Sequence, residues 1–488
     1  MIRQPFVVRT FAVTSAALFA LLSVTFSSFT ANAQMRRSAR QGRTSQSAPR
    51  ETVRGVRAPF DNDIARIISE IDARNIERTI RTLVSFGTRN TLSEQDNPTR
   101  GIGAARDWLY NEFSKAAADS GGRMIVEKQT FEQPVTKQFP RILKPTVLTN
   151  IVATLRGTQP ASVNRTYVVS GHYDSMCTSP TDAVCDAPGA DDDASGVAAA
   201  LEMARVMATR NFDATIIFMA VAGEEQGLVG STYFAEQAKQ KKMDIEAMFT
   251  NDIIGNSLGG NGVRDRNTVR VFSEGVPSNE TTEEGNVRRG VGGENDSASR
   301  QLARFIKETT ERYVPNMNAL LVYRRDRYLR GGDHIPFLER GYPAIRFCEI
   351  NENYNHQHQN VRVENNIQYG DLPQFVDFNY TAKVARVNAA NLAALALAPA
   401  APKAVGIITL KLTNDTELRW TANTEPDLAG YEIVWRDTAS PVWTNSRFIG
   451  NTTTFTARGM SKDNYFFGVR AIDRQGHRSP VSFPRPVR

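Results

Sequence analysis

The sequence predicts an α/β fold: a doubly wound, mostly parallel sheet that carries the chemistry, followed by a small β-sandwich domain. Three observations lead there. From Phe60 to about Ala396, apolar strand patterns alternate with helical patterns, as helices layered on a parallel sheet require. Acidic and imidazole residues gather just past the carboxyl ends of the strand patterns, where open α/β sheets hold ligands. From residue 405 the pattern changes to short β segments separated by turns rich in Asn, Asp and Gly, the rhythm of a β-sandwich.

Length and composition are those of a globular protein with room for a large core. The chain has 488 residues, 41% hydrophobic and 23% charged. Residues 1–33 read as a signal peptide. Arg3 and Arg9 form a basic start, Phe11 to Phe26 is apolar apart from Thr and Ser, and Ala31-Asn32-Ala33 fits a cleavage site. Residues 34–60 are rich in Arg, Ser and Gln and are expected to be a disordered tail. The net charge of +7 comes from these two segments, which carry +2 (residues 1–33) and +6 (residues 34–57) and leave −1 for residues 58–488. The basic balance is therefore no argument for nucleic-acid binding. No later segment is apolar enough to span a bilayer. The expected location is secreted or periplasmic.

Within residues 61–400 the helical patterns are Ile64 to Ser85, Gly101 to Ala118, the run after Asp193, Gly230 to Lys241, Ser297 to Tyr313 and Asn379 to Ala396. Strand patterns are Arg123 to Phe131, Thr149 to Leu155, Thr166 to Ser170, Ala214 to Ala222, Met248 to Ile254 and Ala344 to Cys348. Residues 278–296 are polar and glycine-rich and read as a loop. An Ala/Pro linker near 397–404 leads to the second domain, 401–488, with β patterns at 407–412, 417–420, 431–436, 453–457 and 465–472.

Five places carry chemistry. His172-x-Asp174 follows a strand, so the two side chains point the same way; one can bind a metal while the other orients the imidazole. Asp191-Asp192-Asp193 lies in a glycine-flanked turn that opens a helix, where negative charge is favourable. Glu224-Glu225 ends a strand with diverging side chains, so one carboxylate can face a metal and the other its water. Asp252 sits among apolar residues and must be paired or bound to a cation. His356 and His358 follow the strand through Ile350, and either can supply a late ligand. Together, His172, Asp191, Glu225, Asp252 and one late histidine meet the count for two zinc ions, which sit about 3.5–4 Å apart and share a bridging carboxylate. Of the three cysteines, Cys177 and Cys185 flank the loop before the acidic turn and are expected to form a disulfide in an exported protein. Cys348 reads as a buried thiol.

These residues carry a resemblance. His172-Tyr173-Asp174, Gly189 to Gly196, Gly223-Glu224-Glu225-Gln226-Gly227-Leu228-Val229-Gly230-Ser231, Asn251-Asp252 and Gly332-Asp333-His334 resemble the M28 family of zinc aminopeptidases over about residues 61–400. The resemblance implies a zinc exopeptidase-like fold, two zinc ions per chain and hydrolysis of N-terminal residues from peptides. It implies that Asp191 bridges the ions, that His172 and Asp252 hold one, and that Glu225 and His358, rather than His356, hold the other. It assigns Glu224 as general base and a cis or strained peptide at Asp191-Asp192. The alternatives are another zinc exopeptidase, a glutaminyl-cyclase-like acyltransferase, or a non-catalytic surface-binding relative. Trp420, Gly430-Tyr431-Glu432-Ile433 and Tyr465 to Ala471 resemble a fibronectin type III module, which implies a surface or protein partner for residues 401–488.

Overall fold

The computed structural model describes residues 60–488. The segments expected to be a signal peptide and, but for Phe60, a tail lie outside the described residues. Two short helices open the fold, α1 (Asn62–Ser69) and α2 (Ala73–Ser85). One continuous helix was the expectation from Ile64 to Ser85. The chain turns between them because Asp72 takes an extended backbone and its side chain accepts from the Arg74 N–H, starting a new helix. Next come α3 (Gly101–Ala118), β1 (Met124–Gln133), β2 (Thr146–Leu155), β3 (Arg165–His172), α4 (Ala194–Met207), β4 (Thr215–Val221), α5 (Val229–Gln240) and β5 (Asp244–Asn251). They are followed by β6 (Thr268–Ser273), α6 (Thr282–Val291), α7 (Ala298–Tyr313), β7 (Asn318–Val322), α8 (Ile335–Glu339), β8 (Ala344–Glu349), a small hairpin β9 (Arg362–Glu364) and β10 (Ile367–Tyr369), and α9 (Phe378–Leu397).

Strands β1 to β8 form one sheet in the order β1-β2-β4-β3-β5-β8-β6-β7. Its centre, β4-β3-β5-β8, is parallel. β1, β2 and β4 pair antiparallel on one side, and β6 joins β8 antiparallel on the other. Every residue of β3 and β4 is buried, as expected for strands covered on both faces. On one face α2, α3, α4, α7 and α9 enclose the main core, which includes Ile80, Leu109, Phe113, Val197, Phe218, Phe249 and Leu392. On the other, a smaller core of Val168, Met219, Phe234 and Phe337 sits under α5 and α8. Helix α6 replaces the expected loop at 278–296. Its start is a capping box in which Thr281 and Glu284 satisfy each other's backbone N–H.

Residues beyond the linker make two sheets around one core. β15 (Thr454–Ala457), β12 (Thr416–Arg419), β11 (Gly406–Ile408) and β17 (Arg485–Val487) form the first; β14 (Asn445–Gly450), β13 (Leu428–Asp437) and β16 (Tyr465–Asp473) form the second. Trp420, Tyr431, Ile433, Phe467 and Val469 fill the space between. The expected strand at 407–412 stops at Ile408, and β14 is a strand the pattern did not reveal. Among the described residues no helix is long and apolar enough to cross a membrane.

Candidate metal centre

The carboxyl ends of β3, β4 and β5 lie side by side, and each delivers acid or imidazole groups to the same place. β3 ends in His172, β4 runs into Glu224-Glu225, and Asp252 follows β5. The acidic turn reaches them because α4 packs hard against the sheet. A Cβ on Gly171 would sit 2.4 Å from the Gly196 carbonyl carbon, and one on Gly196 would sit 2.2 Å from the Asn251 carbonyl oxygen. Only glycine allows that approach. Asp193 caps α4, accepting from the Gly196 N–H at 3.0 Å, and also accepts from the His172 N–H at 2.9 Å. The loop after β8 adds His358, in the left-handed region at φ 52°.

Two groups of three donors result. His172, Asp192 and Asp252 form one; Asp192, Glu225 and His358 form the other. His172 Nε2 lies 3.1 Å from Asp192 Oδ1 and 3.9 Å from Asp252 Oδ1. His358 Nε2 lies 2.9 Å from Asp192 Oδ2 and 3.1 Å from Glu225 Oε1. The two oxygens of Asp192 thus face opposite groups.

Asp191 was expected to be the carboxylate common to both groups; the structure places Asp192 in both and Asp191 in neither. The reason is Asp371, whose carboxylate accepts from the backbone N–H of Asp191 at 2.9 Å and of Asp192 at 2.7 Å, fixing the turn. Asp191 then points away: its Oδ1 accepts from the Gly255 N–H at 2.6 Å, and its carboxyl meets that of Glu349. Burial pushes Asp191 up to about 7. The cis peptide is likewise one residue later than expected, at Asp192-Asp193. Cys177 and Cys185 are joined in a disulfide, and Cys348 is a buried free thiol.

Several residues hold the donors in place. Asp174 accepts from the N–H of Glu224 and Glu225 at 3.2 and 3.1 Å, and its carbonyl oxygen lies 3.1 Å from His172 Nδ1. A proton on Nδ1 makes that bond and leaves the lone pair of Nε2 facing Asp192. Arg346, invisible as a site residue in the sequence, is fully buried and reaches Asp252 Oδ1 at 2.8 Å. Asp333 is buried beside the centre, and burial pushes it up to about 7. His334 is outside both groups, its Nε2 at 2.9 Å from the Arg325 carbonyl. His356 is also outside, stacked on Phe375 with ring centroids 3.7 Å apart.

The donor set fits a divalent cation. His172 Nε2 and Glu225 Oε1 are buried without a well-aligned hydrogen bond, each with an ionic neighbour at 3.1 Å, and each belongs to one of the two groups. Buried polar atoms are rarely left so without a function. Against the cost of burial, Glu225 and Asp192 push the His358 imidazolium up to about 11, a measure of how strongly the pocket demands positive charge. Imidazole nitrogen with carboxylate oxygen is a donor set that suits zinc. Burial, joined by the charges of Asp252 and Glu225, also raises Glu224 well above the ordinary glutamate range.

The profile of peptidase family M28 matches residues 150–381, which span His172, the acidic turn, both glutamates, Asp252 and His358. The chain is similar to a protein of Leptosphaeria maculans named "Probable zinc metalloprotease", 48% identical over 431 residues, covering 88% of this chain and 99% of that one. A protein of the same name from Pyrenophora teres f. teres is 46% identical, covering 88% of each chain. Among solved structures, LapA of Legionella pneumophila shares the fold at a TM-score of 0.50 and 20% identity, over 70% of this chain and 78% of that one. With near-complete coverage by relatives at this identity, and the donor groups inside the matched segment, the chain belongs to peptidase family M28.

Proposed function

We propose that the protein is an exported zinc-dependent aminopeptidase with two zinc ions per chain. The observation that carries this reading is the pair of donor groups sharing Asp192, with Glu224 outside both and close enough to feel the charges of His172, Asp252 and Glu225. His172, Asp192 and Asp252 would hold one ion; Asp192, Glu225 and His358 would hold the other. Zinc held there supplies a Lewis acid for the scissile carbonyl and lowers the pKa of water toward neutrality. Glu224 would take the proton of the attacking water and return it to the leaving amine. A carboxylate outside both groups would hold the α-ammonium of a peptide, which favours removal of N-terminal residues over internal cleavage. The segment 1–33 and the Cys177–Cys185 disulfide support export. The names of the Leptosphaeria and Pyrenophora relatives support zinc.

The test is hydrolysis of amino-acid p-nitroanilides and of their N-acetylated forms, with zinc measured in the same samples. The expected outcome is turnover of the free amines only, lost on chelation and restored by zinc. Chelator-resistant turnover, or equal turnover of acetylated substrates, would sink the reading.

A further inference from the structure

The two donor groups differ in one respect: a buried arginine lies on one of them. Arg346 Nη2 is 2.8 Å from Asp252 Oδ1. That oxygen also faces His172 Nε2, at 3.9 Å. A cation in the His172–Asp192–Asp252 pocket and the Arg346 guanidinium must therefore share the carboxylate of Asp252. Arg346 cannot swing away. Its guanidinium is fully buried, donates to the Gly331 carbonyl at 2.5 Å and pairs with Asp326 at 3.3 Å. It cannot lose its proton either, since arginine stays charged in proteins. In the other pocket, Glu225 Oε1 faces the His358 imidazole at 3.1 Å and, among the described residues, no arginine pairs with that carboxylate: Arg141 donates to the Glu225 backbone carbonyl instead.

Like charges a few ångströms apart in a dry interior repel strongly. We infer that the two metal positions are unequal: the Asp192–Glu225–His358 pocket is the tight, resident position, the His172–Asp192–Asp252 pocket is the weak, exchangeable one, and Arg346 is the positioning residue that sets the difference. This rests on the two-zinc reading above. It gives the enzyme a singly loaded state governed by the surrounding zinc concentration.

The experiment is calorimetric titration of Zn²⁺, with Co²⁺ absorption in parallel, into the full chain stripped of metal by dialysis against a chelator. Wild type should bind in two steps with dissociation constants at least about tenfold apart. His358→Ala should lose the tight step and Asp252→Asn the weak one. Arg346→Met should tighten the weak step about tenfold or more and move the tight step less than about threefold. Arg346→Lys, which keeps the charge, should stay near wild type. Circular dichroism and thermal unfolding identify any variant that fails to fold, and the wild-type steps with their His358 and Asp252 assignments decide the matter without Arg346→Met. Two equal steps, loss of the tight step in Asp252→Asn, or a folded Arg346→Met with weaker or unchanged binding would overturn the inference. Failure of either metal to bind in any step would instead overturn the function proposed for the site.

Discussion

Asp296 and Arg436 meet between the main sheet domain and the C-terminal β module, with Arg436 Nη2 at 2.9 and 2.8 Å from the two carboxylate oxygens. Both side chains are almost wholly buried, and Arg304 shares the same carboxylate at 3.0 Å. Breaking a buried pair from one side costs more than the pair was worth, because the remaining charge has no water to return to. Asp296→Ala leaves two buried guanidinium groups facing each other and is expected to cost about 3–5 kcal/mol in urea unfolding. A cost below about 1 kcal/mol, the worth of an exposed pair, would show that the contact is solvated. Removing residues 402–488 also takes Arg470 from Glu308 and His477 from Asp61, so the truncated chain should unfold at lower urea. No donor of the metal centre lies in that segment, so the fraction that folds should keep its zinc.

Glu224 and Glu225 are neighbours with the same chemistry and opposite expected behaviour. Glu225 belongs to a donor group and Glu224 does not. Glu225→Ala should lose metal together with activity. Glu224→Ala should retain both ions and lose about 10²–10⁴ in kcat, the usual contribution of a general base. Metal analysis and turnover on both variants decide this; the reverse pattern would exchange the roles.

The main sheet and the position of the site were legible because the signals are local. Buried strands read as apolar runs, and acid or imidazole groups follow them directly, as at His172 and Glu224-Glu225. What could not be read was the orientation of side chains fixed from afar. Asp191, Asp192 and Asp193 are chemically identical in the sequence. The choice among them is made by Asp371, 179 residues beyond Asp192. Arg346 sits in a strand buried throughout, where no alternation marks it, and its partner Asp252 is 94 residues away. Helix α6 is a different case. Thr281 and Glu284 are a readable capping signal, but only Gly285 of the helix is buried, so no apolar periodicity drew attention to it.

His356 and His358 give a second test within one loop. His358 faces Asp192 and Glu225, whereas His356 stacks on Phe375, and burial lowers it to about 4, so its ring stays neutral near pH 7. His358→Ala should therefore lose turnover and the zinc held with Asp192 and Glu225. His356→Ala should keep the metal stoichiometry and lose only packing against Phe375, read as a small drop in melting temperature. Loss of zinc from His356→Ala alone would reassign the late ligand.

The last prediction concerns pH and the contact between helix α1 and the C-terminal strands. His477 bridges Asp473 at 2.6 Å and Asp61 at 2.7 Å, joining the C-terminal module to the residue that caps α1. Burial opposes its charge, but the two carboxylates prevail and push it up from 6.5 to about 9. A histidine whose pKa is higher folded than unfolded stabilises the fold fully below its unfolded pKa and loses that contribution as pH rises through the folded one. The window is therefore about pH 6.5 to 9, with nothing left above it. On the acid side the hydrogen bond from His477 holds Asp61 below its ordinary 3.8, so its share is lost as pH falls through that lowered value. Melting temperature should accordingly fall from pH 7 to pH 10 more steeply in wild type than in His477→Gln, whose neutral amide cannot titrate. Comparing the two slopes removes the background of other titrating groups. Parallel slopes would mean that the imidazole is not charged in the folded protein, and that the bridge is held by neutral hydrogen bonds alone.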